Sequence, residues 1–205
     1  MNIPKKGLRA LGIAESYSGR TVSTLAGIVM RKDLVVDGAA FARVTVAGTD
    51  ASGGVLSIVR ALDRKDINVL FLSGCVIAFF NIIDPEVVQE ETGLPVVCVT
   101  YEESEGLEGD IIHHFPGDKK RLGAYRRLGD RIPHTLPGGG IVFIRSWGID
   151  TQDAARLCDD FTREGKIPEP LRLARIAARA ANLFVTGSPD AGTGGFISGK
   201  DEILR

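Results

Sequence analysis

Ser73 closes the apolar run Val69-Leu70-Phe71-Leu72 and precedes Gly74. The carboxyl end of such a strand is where an α/β enzyme mounts a catalytic residue. A serine nucleophile needs a neighbouring base, and no histidine or lysine partner for Ser73 is evident in the sequence. Cys75 beside it reads as a small apolar core residue. His113, His114 and His134 show no metal-ligand spacing against each other or against the cysteines. The stretch Gly194 to Lys200 has the spacing of a phosphate loop up to its lysine. Asp201 then follows where a serine or threonine is needed, so it reads as a chance match.

Two groups of cations can carry a different chemistry, the binding of phosphate. Arg172, Arg175 and Arg179 fall at spacings of three and four, which puts them on one face of a helix. They read either as a phosphate-facing stripe or as the solvated side of an amphipathic helix, with Leu173, Ile176, Ala180 and Leu183 turned inward. Lys119 to Arg131 is a second basic run and contains Tyr125. Basic residues with an interleaved aromatic bind single strands. One aromatic is thin support, and a solvated helix is the simpler reading.

The elements that must position these residues follow from hydrophobic spacing. Leu8–Ile13, Thr24–Met30 and Leu34–Val46 read as three strands, with a turn at Lys32-Asp33 and a break at Asp37-Gly38. Short turns between them predict an antiparallel meander. Val55, Ile58, Val59 and Leu62 repeat at helical spacing, so 51–63 reads as a helix with Thr49 or Asp50 as its N-cap. Asn68–Leu72 has no polar alternation, as expected of a central strand covered on both faces. Asp84-Pro85 starts a helix that Gly93 stops, with Val87 and Val88 inward, and Val96–Thr100 is another buried strand. Residues 101–131 are polar and read as two helical pieces broken at Pro116-Gly117. Ile141–Trp147 is a strand, Asp150 and Asp153 resemble a capping box for a helix over 151–163, and Pro168–Val185 is the last helix. The order predicts an α/β domain over 1–185 of ribonuclease H-like layout, a mixed sheet in which a three-strand meander is followed by parallel strands, with helices on both faces. Residues 186–205 are Gly-rich and are expected to be a loose tail.

The totals narrow the function classes. At 205 residues the chain is long enough for one domain with a full core. A formal charge of −1 predicts neither a general nucleic-acid binder nor a membrane-surface protein. Three widely spaced cysteines argue against zinc or a disulfide scaffold and fit the reducing cytoplasm. No leader and no uninterrupted run of about 18 apolar residues is present, so no membrane partner is expected. Nothing sets an oligomeric state.

Several segments resemble a known family. Leu11–Tyr17, Val44–Ala51, Leu72–Asp84, Glu90–Val97 and Lys166–Ala177 resemble the archaeal domain-of-unknown-function family ninety-nine, which is grouped with endonuclease V on the ribonuclease H-like fold. The most specific stretches are Phe79-Phe80-Asn81-Ile82-Ile83-Asp84, Glu90-Glu91-Thr92-Gly93-Leu94-Pro95-Val96 and Lys166-Ile167-Pro168-Glu169-Pro170-Leu171-Arg172. The resemblance spans about residues 7–185 and implies an endonuclease that holds magnesium with carboxylates to cut DNA or RNA. Magnesium needs hard oxygen ligands in a near-octahedral shell, and two such ions stabilise both the attacking and the leaving oxygen.

This chain departs from the pattern that the resemblance implies. Two adjacent acids are expected after the first strand, where Ala14 and Glu15 stand. Acids are expected at Ala47 and Ser73, and a histidine at Arg175. Glu15, Asp37 and Asp50 are the remaining candidate metal ligands, with Glu15, Asp50 and Ser73 the candidate catalytic residues. Tyr17, Arg172 and Arg175 are the candidate nucleic-acid contacts. The leading expectation is an endonuclease V-like protein whose metal site is reduced or lost and which binds DNA or RNA without efficient cleavage. The alternatives are an active magnesium-dependent endonuclease built on Glu15, Asp50 and Asp37, and a non-catalytic interaction or homo-oligomeric module.

Overall fold

The structure is a computed structural model that describes residues 7–18 and 21–186. Of the tail expected to be loose, only Thr186 is described, as the end of the last helix, and the phosphate-loop look-alike lies beyond the described residues. Three strands open the chain: β1 (Arg9–Ser16), β2 (Val22–Arg31) and β3 (Val36–Thr45). They pair antiparallel in sequence order, as the meander requires. Helix α1 (Ala51–Leu62) returns the chain to β4 (Val69–Ser73), which lies parallel to β1. A small hairpin of β5 (Val76–Ile77) and β6 (Asn81–Ile82) follows, then α2 (Pro85–Thr92) and β7 (Val96–Thr100), parallel to β4. Next come α3 (Glu108–His114), α4 (Lys119–Arg127), β8 (Ile132–Thr135), β9 (Ile141–Trp147), α5 (Thr151–Phe161) and α6 (Glu169–Thr186).

The main sheet runs β3-β2-β1-β4-β7-β9-β8. The parallel run ends at β7, because β9 pairs with it antiparallel and β8 with β9 likewise. The hairpin strand β8 was not anticipated. Its Pro133 removes a ladder donor, which only an edge strand tolerates, and β8 is an edge. The ends of β1, β3, β4 and β7 all emerge at one edge of the sheet, the exit edge.

Side chains alternate across this sheet. Leu11 and Ile13 of β1 join Val55 and Ile58 of α1, Val88 of α2 and Ile111 of α3 on one face. Ala10 joins Phe71, Phe161, Leu157 and Leu171 on the other face, under α5 and α6. Ala14 lies on this second face, packed against Ala174 of α6. The helix comes so close that a Cβ on Gly12 would sit 2.4 Å from the Pro170 carbonyl carbon.

That closeness corrects the phase expected of the last helix. Its buried side is Leu171, Ala174, Ala178 and Asn182, while Ile176 is 55% exposed and Leu183 is exposed as well. Val87 of α2 is also exposed, and only Val88 faces the core. The caps at Asp84 and Gly93 form as expected. The Asp84 side chain accepts from the Val87 N–H, and Gly93 takes a left-handed φ of 67°.

Candidate functional site

Glu15 reaches the exit edge on the α1 face, because it follows Ala14 by one residue and alternation turns it the other way. Its Oε2 accepts from the Ser23 hydroxyl of β2, and its Oε1 accepts from the Ala78 N–H at 3.1 Å. Ala78 begins an uncommon piece of backbone. Ala78, Phe79 and Phe80 have φ of 43°, 55° and 62°, three successive non-glycine residues in the left-handed region. Each such residue costs about 1–2 kcal/mol against the right-handed form.

Distant groups hold this turn. The Ala47 N–H donates to the Ala78 carbonyl at 2.8 Å. Arg121 of α4 donates to the Phe80 carbonyl, to Gly48 at 3.0 Å and to Ala47 at 2.9 Å. Its guanidinium lies 4.0 Å from the Phe115 ring centroid, and the residue is buried. The sequence places Arg121 in a solvated basic run; the structure makes it a clamp between α4 and two loops.

Asp50 occupies the N-cap position of α1, yet its side chain makes no capping bond to the helix. It turns back to accept from Thr45 N–H at 3.1 Å, Thr45 Oγ1 at 2.9 Å and Asn81 Nδ2 at 2.6 Å. Burial works to raise its pKa, but the hydrogen bonds from Asn81 and Thr45 hold the carboxyl below its usual range. Asn81, fully buried, also donates to the Thr45 carbonyl and accepts from the Ala51 N–H. The start of α1 is therefore satisfied by Asn81, a role invisible to a search for capping residues adjacent in sequence.

Asp37 is the clearest correction. It stands at the start of β3, level with the first residues of β1 and opposite the exit edge. Leu25 of β2 pairs with both Glu15 and Ala42. Asp37 is five residues back along β3 from Ala42, or about 16 Å at the usual strand rise. One ion cannot span that gap. Asp37 instead bonds Arg9 at 2.8 Å and Arg64 at 2.9 Å. Burial opposes ionisation there, and the hydrogen bonds and charges of both arginines outweigh it, holding the carboxyl low.

Ser73 and Arg175 lie on the opposite face from Glu15. Ser73 follows Leu72, which packs on the α1 face, so it turns toward α5 and α6. There it lies against the Tyr101 hydroxyl. Burial pushes the Tyr101 phenol up, and its oxygen has no hydrogen-bond partner of sound geometry among the described residues. The Arg175 guanidinium covers the Tyr101 ring at 5.7 Å. Arg172 is engaged by Glu169 at 2.5 Å, and Tyr17 is 39% exposed just past β1. Among the described residues the group beside Ser73 is the Tyr101 phenol, which burial makes harder to deprotonate and so a poor base for a serine nucleophile.

The three candidate magnesium ligands do not come together among the described residues. Glu15 has both oxygens engaged on one face, Asp50 is held by Thr45 and Asn81, and Asp37 is at the other end of the sheet. Among the described residues no three of His, Cys, Asp and Glu come together as a metal site would need. Aromatic groups were missed in the sequence and gather beside the left-handed turn. Phe79 meets Phe80 and His114 at 5.1 Å and Phe115 at 6.0 Å. Their places in sequence, 79–80 and 114–115, gave no sign that they meet.

This arrangement of sheet, helices and exit edge is an endonuclease V fold. The chain resembles endonuclease V of Ciona intestinalis, solved with a 24mer DNA containing an inosine, with a TM-score of 0.61 and 16% identity over 88% of each chain. A protein of unknown function from Archaeoglobus fulgidus is more similar, with a TM-score of 0.74 and 26% identity over 85% of this chain and 98% of that one. Residues 6–182 match the family described as Endonuclease dU, and the chain belongs to that family. An UPF0215 protein of Pyrobaculum aerophilum is 38% identical over 85% of this chain and 95% of its own length. One of Thermococcus kodakarensis is 33% identical over 86% and 93%.

Proposed function

We propose that this chain is a nucleic-acid-binding member of the Endonuclease dU family that has lost its magnesium site. The observation that carries this reading is the split of the exit edge between two faces. Positions 14 and 73, where the resemblance expects acids, share the α6 face and hold alanine and serine. Glu15, the acid that remains, is turned to the α1 face and engaged by Ser23 and Ala78. Site affinity for a hard cation rises with the number of charged oxygens, and the α6 face of this edge offers none from these positions. Arg175 puts a fixed positive group beside Tyr101 there, suited to a backbone phosphate. Tyr17 adds an exposed aromatic at the same edge, while Arg172 is neutralised by Glu169.

The test uses DNA containing dU, as single strand and as duplex, with magnesium or manganese. Binding with no cleavage is the expected result. Affinity should fall with salt, with a slope of about −0.7 per phosphate neutralised on single strands, and Arg175→Ala should reduce that slope. EDTA-sensitive nicking by the wild-type chain, abolished by Glu15→Gln, would establish the active nuclease instead. No binding at low salt to either form would leave an interaction module as the surviving reading.

A further inference from the structure

We propose that the left-handed turn at residues 78–80, with the α3–α4 corner against it, is a stacking platform for an unpaired base of a single-stranded nucleic acid. This rests on the nucleic-acid-binding reading above and gives it a location and a mode.

The backbone supplies the first reason. Three consecutive left-handed non-glycine residues persist only where the surroundings over-determine them, and such strain gathers at ligand sites. Here Glu15, Ala47 and Arg121 together hold the turn. A turn needed only for packing is met more cheaply by glycine, which adopts positive φ without penalty. Gly74, in the same connection, does so at 83°. Phe79 stands at 55° instead and leaves 40% of its surface in water.

The surroundings supply the second reason. Phe79 is buttressed by Phe80, His114 and Phe115, and Arg121 backs the Phe115 ring at 4.0 Å. The exposed ring is thus stiffly mounted, so little freedom is lost when a base settles on it. Charge complements the aromatic surface. Phe115 leads through Pro116-Gly117-Asp118 directly into Lys119 and Lys120, both exposed in the first turn of α4. Asp118 is engaged by Arg121, and neither lysine has a carboxylate partner among the described residues. An aromatic platform with flanking cations is the arrangement that binds single strands without reading their sequence. The basic run that offered only Tyr125 in the sequence gains its aromatics from residues 79, 80, 114 and 115.

The test is binding of an unstructured single-stranded oligodeoxynucleotide carrying one 2-aminopurine, followed by anisotropy and by the emission of that base. Wild-type protein should bind and quench the emission. Phe79→Ala should weaken binding about tenfold, in line with the effect of losing one base–aromatic stack, and should abolish the quench. Phe79→Trp should keep both. Phe79→Gly should lose the quench while melting above Phe79→Ala, since glycine takes the positive φ without penalty, and this separates stacking from folding. Wild-type binding that Phe79→Ala leaves unchanged would overturn the platform and leave the nucleic-acid reading standing. Absence of binding by the wild-type chain would overturn both.

Discussion

Glu15 accepts one hydrogen bond from the neighbouring strand and one from a turn 63 residues further along the chain. Its identity as the remaining acid was legible in the sequence. The face it occupies was not, because a strand has period two and a shift of one residue reverses every side chain. Ala14 and Glu15 are interchangeable on paper and opposite in space. Asp37 misled for a related reason. Its place near a glycine break was clear, but only the register of β3 on β2 shows that it lies at the far edge. Glu15 as a structural acceptor makes a prediction that a metal ligand does not. Glu15→Ala should destabilise the protein by about 1–3 kcal/mol, the cost of leaving partly buried donors unmet. Urea unfolding in EDTA measures it; a ligand's loss would appear only when magnesium is present.

Element by element, the strands and most helices follow from patterning. Val96–Thr100 and Ile141–Trp147 appear with the expected ends. The last helix shows where patterning fails. Counting large apolar residues puts Ile176 and Leu183 inside, yet both face water. Contact with β1 at Gly12 brings the helix too close for them, and the small side chains of Ala174 and Ala178 take the inner face. Hydrophobicity assumes that larger means buried; at a close crossing, volume decides instead. Gly12→Ala should accordingly push α6 off the sheet. We expect a loss of about 1–3 kcal/mol or more from overpacking, read as a lower urea midpoint together with weaker dispersion of the α6 amide signals in NMR spectra.

Across the whole molecule, charge does two jobs at opposite edges of the sheet. Away from the exit edge, Arg9, Asp37, Arg64 and Asp66 tie β1 and β3 to the connection after α1, with contacts of 2.8–3.2 Å. Hydrogen bonds from Arg64 bring Asp66 down to about 2, and Asp37 is lowered as well. Both carboxyls titrate lower in the folded chain than in the unfolded one. The stability they add is complete above about pH 4 and disappears as pH falls toward 2. Melting temperature should drop across that window, and Asp37→Asn should flatten the drop when followed by circular dichroism from pH 5 to 2. At the exit edge the left-handed turn has a different bearing, on the order of events in folding. Its anchors are Glu15, Ala47 and Arg121, none of them local, and its own backbone preference opposes it. Such a segment cannot nucleate. It can close only once β1, the end of β3 and α4 are in place, and it opens only when they loosen. The surface proposed to meet a base is therefore a late-closing corner, completed only when three distant parts of the chain have met.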